Sequence, residues 1–207
     1  MRETRPLKDH ARRPGRRTAP LLLIVSEGTE TEPRYFNTLR VAWRLSGVKV
    51  KPSPSSAPIR VVEAAIRFRD EAKRTSQRSS IQEPFDEVWA VFDQDQHTTV
   101  AEAKSLAEQN GIKVGFSKPS FELWLLLHFV LSMKPLINSD EAEAELKLKF
   151  PAYSKSGDLT ALVPIVSTAI KHGELLLDKL KEPGMANYPF TTVQTLVKGL
   201  QDLRRDF

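Results

Sequence analysis
The sequence contains no cysteine, which excludes a disulfide framework and any thiolate metal site and leaves no sign of an oxidising compartment. Long apolar runs are missing too. The longest lies within residues 121–131, is interrupted by Glu122 and His128, and falls well short of the roughly 20 residues that a membrane-spanning helix needs. No apolar stretch of the kind a signal peptide carries follows the basic N-terminus. These absences predict a cytoplasmic protein with no membrane partner. Catalytic signatures are absent as well. Without a Gly-x-x-x-x-Gly-Lys-Ser/Thr segment there is no P-loop, so any use of ATP must come from a partner. Without His-Glu-x-x-His or a cysteine set a zinc hydrolase is disfavoured. Without Gly-x-Ser-x-Gly nothing supports serine hydrolysis.

What is present is an ordinary globular composition, 40% hydrophobic and 28% charged, in which the charge is unevenly placed. The formal net charge is +5. Arg2, Arg5, Lys8, Arg12, Arg13, Arg16 and Arg17, set against Glu3 and Asp9, account for all of it, and the rest of the chain is balanced. Residues 1–19, with Pro6, Pro14 and Gly15 among them, cannot bury a core and read as a flexible tail. Such a tail either neutralises nucleic-acid phosphates non-specifically or simply keeps the chain soluble.

Beyond the tail, residues 21–25 form a continuous apolar run with an abrupt polar end at Ser26-Glu27-Gly28, which predicts a strand buried on both faces. Pro33 suits the first turn of a helix that runs to about Leu45. A short strand over 48–51 follows, then a helix from Ile59 to about Arg74. Residues 88–92 are a second buried strand, ending in Asp93-Gln94-Asp95. A helix from Thr98 or Thr99 to Gln109 stops at Asn110-Gly111. A strand over 112–116 and an apolar helix over 121–131 close this part. The alternation predicts an α/β fold, a parallel sheet of about four strands flanked by helices over residues 20–135. From about Asp140 the strand signal stops. Residues 136–207 then read as a helical extension packed on the core, with helices to about Lys149, over 159–180 as one or two pieces, and from Thr191 or Thr192 to Leu203.

Ligands of such sheets gather at the carboxyl ends of the strands. Glu27 and Asp93 both fall there, and Asp95 projects to the same side as Asp93 if the chain stays extended. Magnesium prefers carboxylate oxygen and is better held by two or three converging carboxylates than by one. Clustered anions repel without a cation, so Glu27, Asp93 and Asp95 together point to Mg2+ or Mn2+. Such a metal polarises a phosphoryl oxygen or activates a water, with one ion or two. Gly28 would let a phosphate or a metal-bound water approach the backbone closely. Asp-x-Asp or Glu-Gly alone is more often a turn or a cap; the weight lies in both following buried strands of one sheet.

Around these acids stand further candidates. Glu122 opens an apolar helix, either as a favourable charge at its N-terminus or as a fourth acid at the metal. Lys155 either meets a phosphate or is a solvated surface lysine. His97 follows the acidic pair closely. His128, on an apolar face, reads first as a hydrogen-bonded core histidine. Asn187, Thr191 and Thr192 read as caps of the last helix. Glu30, beside Gly28, completes the set.

Several blocks resemble the RloB-like family in order: residues 22–36, with Glu27-Gly28-Thr29-Glu30-Thr31-Glu32-Pro33; Val91-Phe92-Asp93-Gln94-Asp95; residues 118–129; Tyr153-Ser154-Lys155; and residues 187–193. Gln194 stands where that pattern expects histidine, and Lys118 where it expects asparagine. The resemblance implies a Toprim-like, Rossmannoid core in which Glu27 is the first acid and Asp93 and Asp95 the second motif. It implies a metal-dependent nuclease acting on DNA or RNA, the effector of an anti-phage defence system beside an ABC- or SMC-like ATPase. In that role Glu27, Asp93, Asp95 and Lys155 are catalytic and Glu122 joins the metal set. Gly28, Glu30, His97, His128, Asn187 and Thr191 surround them. A homodimer is compatible with it. The rival expectation is a non-catalytic regulatory or nucleic-acid-binding module that docks on the ATPase; strand joining or primer synthesis is a weaker third.

Overall fold
Strand β1 (Leu22–Ser26) is buried along its whole length. Its alternate residues part company: Leu22 and Ile24 enter one apolar cluster, Leu23 and Val25 another. A strand with two buried faces needs cover on both, the environment of a central parallel strand. The computed structural model describes residues 20–78, 83–94, 99–185 and 188–205. The basic tail of residues 1–19 lies outside these.

Around β1 the described residues form α1 (Thr31–Ala42), β2 (Val48–Pro52), α2 (Pro58–Arg78), β3 (Glu87–Asp93), α3 (Val100–Gln109), β4 (Lys113–Lys118), α4 (Phe121–Leu126), α5 (Ser139–Lys149), a 3-10 turn (Thr160–Ile165), α6 (Val166–Lys179), β5 (Phe190–Thr191) and α7 (Val193–Arg205). The five strands make one sheet in the order β2-β1-β3-β4-β5. β2, β1, β3 and β4 are mutually parallel, and β5 runs antiparallel to β4. One face is covered by α1, α4 and residues of the C-terminal third, through Tyr35, Phe36, Trp124, Leu162 and Leu196 among others. The other is covered by α2 and α3, through Val61, Val62, Ala103 and Ala107. The chain leaves β1 over one face towards β2 and reaches β3 on the opposite side over the other. The strand order therefore reverses between β1 and β3, the crevice where doubly wound α/β sheets place their ligands.

Four differences from the sequence expectation have local causes. The sheet has five strands rather than about four, because a two-residue strand carries no periodic signal. Just past β5, Thr192 ties the chain to β4 at both its groups: its hydroxyl accepts the Phe116 N–H at 2.9 Å, and its backbone N–H donates to the Phe116 carbonyl at 2.8 Å. Helix α2 continues to Arg78 instead of ending near Arg74. Thr75 is accommodated there by donating its hydroxyl to the Glu71 carbonyl four residues back, at 2.9 Å. The helix expected over residues 121–131 ends at Leu126. His128 Nδ1 sits 3.1 Å from the Trp124 carbonyl, the acceptor an α-helix would offer to the His128 N–H. That N–H turns to Leu125 at 3.2 Å and the helix tightens out. Residues 159–180 open as a 3-10 turn containing Pro164 before α6 begins. Gly111, at φ +65°, ends the α3 segment as expected. No helix among the described residues is long and apolar enough to cross a membrane.

Candidate functional site
At the carboxyl edge of the sheet the β1 ladder runs one residue further than the strand: the Glu27 N–H donates to the Val91 carbonyl at 2.8 Å. The Glu27 side chain then crosses to the neighbouring strand, where its Oε2 accepts the Asp93 N–H at 3.1 Å. Asp93 is the last residue of β3, not the first residue past it. It is buried, and its Oδ2 accepts the N–H of Phe121, the first residue of α4, at 2.9 Å. Its other oxygen, Oδ1, is buried without a hydrogen-bond partner among the described residues.

Glu122 is buried beside these two and is held at both oxygens. Ser120 Oγ donates to one at 2.6 Å and the Tyr153 hydroxyl to the other at 2.8 Å. Tyr153 Oη lies 3.5 Å from Thr31 Oγ1 at the start of α1. Glu27, Glu32, Asp93, Glu122, Lys155 and Ser56 line one cleft of about 320 Å3, with Gly28 and Glu30 also on its wall. Lys155 is exposed, with Nζ 3.9 Å from Glu143 Oε2.

Glu32, not among the acids that the sequence singles out, also faces the cleft. It is buried in the first turn of α1. The sequence held a signal for it. Pro33 places residue 32 in a helix first turn, and helix side chains lean towards the N-terminus, here back to Glu27. Gly28 takes φ +67°, which favours glycine, and a Cβ there would come 3.7 Å from Glu32 Oε2. Burial above all, then the charges of Glu27 and Glu122, push the Glu32 carboxyl up to about 8, although its own backbone N–H and Lys155 act the other way. Asp93 is raised well above the ordinary carboxylate range, first by burial and then by Glu32, Glu27 and Glu122, against the pull of the Phe121 N–H.

Among the described residues, no three His, Asp or Glu side chains converge closely enough to form a ready-made metal cage. Their oxygens are partly engaged elsewhere, Glu27 on Asp93 N–H, Asp93 on Phe121 N–H and Glu122 on Ser120 and Tyr153. The donor set still suits a hard divalent cation. Every candidate donor is oxygen, one buried carboxylate oxygen lacks a partner among the described residues, and the mutual repulsion of the acids is what a cation would offset.

Other candidates fall elsewhere. His128 is a core residue and does not line the cleft. Its Nε2 lies 3.2 Å from the Tyr35 hydroxyl, and burial lowers it to about 4. Thr191 stands one strand away, its hydroxyl accepting the Val193 N–H at 3.1 Å and lying 3.1 Å from Ser117 Oγ, opposite Asp93 in register. Gln194 is buried against Gly173 of α6. Asp95, His97 and Asn187 lie outside the described residues.

The family model described as RloB-like protein matches residues 22–200, which spans the sheet, the cleft and all but the end of α7. No curated protein matches the chain.

Proposed function
We propose, from the premise that the chain belongs to the RloB-like family, that it is a divalent-metal-dependent nuclease hydrolysing phosphodiester bonds of DNA or RNA. The supporting observation is that Glu27, Glu32, Asp93 and Glu122 line one cleft at the strand-order reversal, with Asp93 Oδ1 buried and unpartnered among the described residues. Glu27, Glu32 and Asp93 would hold the ion with Glu122 beside them, and Asp95 is proposed as a further ligand. When bound, Mg2+ or Mn2+ polarises a phosphoryl oxygen and lowers the pKa of a bound water.

The chain's own groups do the positioning. The Phe121 N–H fixes Asp93 Oδ2 and leaves Oδ1 as the oxygen with no other task. Ser120 and Tyr153 hold both oxygens of Glu122 in place. Lys155, at the mouth of the cleft, meets a phosphate oxygen and offsets the charge that develops on it. By the same family resemblance the core is of the Toprim type and serves as effector of an anti-phage defence system beside an ABC- or SMC-like ATPase.

The test is incubation of the purified chain with plasmid DNA and with tRNA, in Mg2+, in Mn2+ and in EDTA. Metal-dependent cleavage that disappears in Asp93→Asn is expected; undiminished cleavage by Asp93→Asn overturns the site. One observation favours a second reading, a non-catalytic module that binds nucleic acid or the ATPase: the described acids do not already form a metal cage. It predicts no hydrolysis with any metal while binding persists.

A further inference from the structure
The basic tail apart, the chain carries equal numbers of acidic and basic residues, yet β2 and α2 are strongly basic and the cleft is acidic. The excess on α2 is ordered. Arg67, Arg74 and Arg78 recur at steps of seven and four residues, which puts them on one stripe of the helix. The stripe spans about 16 Å at 1.5 Å per residue. All three are exposed. Elsewhere on α2 the arginines have local acid partners, Arg60 with Glu63 at 2.7 Å and Arg69 with Asp70 at 2.9 Å. Arg67, Arg74 and Arg78 form no ion pair among the described residues, and neither does Glu71, which lies between them on the stripe.

Two lysines of the edge strand β2 extend this surface. Lys51 Nζ stands 4.2 Å from the centre of the Phe68 ring, and the Arg67 guanidinium carbon 5.2 Å from the same ring. Lys49 Nζ stands 5.6 Å from the centre of Phe85. Cations held on half-buried rings keep their charge at the surface with less side-chain freedom to lose on binding. The helix begins two residues after Ser56, which lines the acidic cleft. The basic stripe thus leads away from the rim of that cleft.

We infer that the outer face of α2, with Lys49 and Lys51, is a docking surface for the phosphate backbone of a nucleic acid. The inference rests on the nuclease reading only for what lies at the end of the surface, because binding itself needs neither metal nor cleavage. Unpaired guanidinium groups spaced along a helix are the electrostatic footprint of phosphate binding.

The test uses the full chain in EDTA and fluorescence anisotropy of labelled single-stranded and duplex oligonucleotides of about 20 nucleotides, between 50 and 200 mM salt. Replacing Arg67, Arg74 and Arg78 together by Ala should weaken binding at 50 mM salt at least tenfold. It should also flatten the plot of log affinity against log salt by about 2 to 3, given a slope of about 0.7 to 0.9 per neutralised phosphate. The triple Arg→Lys variant, which keeps the charge, should restore most of both. A variant with Arg12, Arg13, Arg16 and Arg17 replaced by Ala separates the contribution of the tail. Wild-type affinity and slope in the triple Ala variant overturn the inference. So does a failure of the wild type to bind either oligonucleotide at 50 mM salt, or binding that vanishes with the tail substitutions alone. Binding retained without cleavage in any metal sinks the nuclease reading and leaves this surface standing. Cleavage retained in the triple Ala variant with unchanged affinity does the reverse.

Discussion
The Glu27 carboxylate accepts the backbone N–H of Asp93 at 3.1 Å, across the junction where the strand order reverses. One acid therefore sets the backbone position of the other, and their contributions should not be independent. We expect Glu27→Ala to disturb Asp93 as well as to remove a carboxyl. The donor is the Asp93 main chain, so Glu27 is the partner to change. Glu27→Ala leaves that N–H without an acceptor and should cost about 1–3 kcal/mol in urea unfolding, whereas Glu27→Gln, whose amide oxygen can still accept it, should retain most of that stability. Equal losses in the two variants would mean that the bond between the two strand ends carries no energy.

Metal binding should register in stability before any substrate is present. A ligand that binds the native state alone raises stability with its concentration, and here it also removes repulsion among Glu27, Glu32, Asp93 and Glu122. Mn2+ or Mg2+ at millimolar concentration should raise the Tm of the wild type. Asp93→Asn and Glu32→Gln should each lose most of that rise while folding normally in EDTA. A metal-induced shift of full size in both variants would place the ion elsewhere.

The pH dependence of stability carries a signature of His128. Trp124 offers it only a carbonyl, so Nδ1 bears the proton and Nε2 accepts from the Tyr35 hydroxyl. The ring is thus neutral in the fold, and its value falls from the ordinary 6.5 to about 4. A depressed folded value gives stability that is present above 6.5 and is lost as pH falls towards 4. The slope is at most about 1.4 kcal/mol per pH unit. His128→Gln should therefore lose less stability than the wild type between pH 7 and pH 4.5, whatever its stability at pH 7. Equal losses would show that the histidine does not titrate on unfolding.

Much of this arrangement is legible in the sequence, and the remainder is hidden for physical reasons. Residues 21–25 and 88–92 announce buried strands because both faces must be apolar, and polar residues begin where cover ends. The meeting of Glu27 and Asp93 follows once those strands are neighbours. Glu32 is harder to single out, because a glutamate in a helix first turn has an ordinary explanation, a favourable place in the dipole. Its burial beside Glu27, Asp93 and Glu122 is what sets it apart, and the position after Gly28 and before Pro33 only hints at that. The partners of Glu122 are remote in sequence: Tyr153 is 31 residues away, and no local pattern joins them. At β5 and at the early end of α4, Thr192 and His128 bond backbone groups directly, which periodicity does not register.

Tyr153 and Lys155 lie two residues apart and should fail in different ways. The Tyr153 hydroxyl is buried against Glu122 and near Thr31, whereas Lys155 is exposed at the mouth of the cleft. Between them Ser154 begins a turn that the Gly157 N–H closes on the Ser154 carbonyl at 2.9 Å. A Cβ on Gly157 would come 3.1 Å from the Ser154 carbonyl oxygen, so the turn favours glycine at that position. Tyr153 anchors the segment, and Lys155 is carried by it. Tyr153→Phe leaves one buried oxygen of Glu122 without its donor and should destabilise the fold by about 1–3 kcal/mol. It should also lower cleavage, because Lys155 is no longer held over the cleft. Lys155→Ala should lower cleavage by one to two orders of magnitude with a change in stability within about 0.5 kcal/mol, the usual range for an exposed site. Denaturant melts and single-turnover cleavage of both variants separate the roles. Loss of activity in Lys155→Ala through unfolding, or wild-type stability in Tyr153→Phe, would reverse the assignment of anchor and contact.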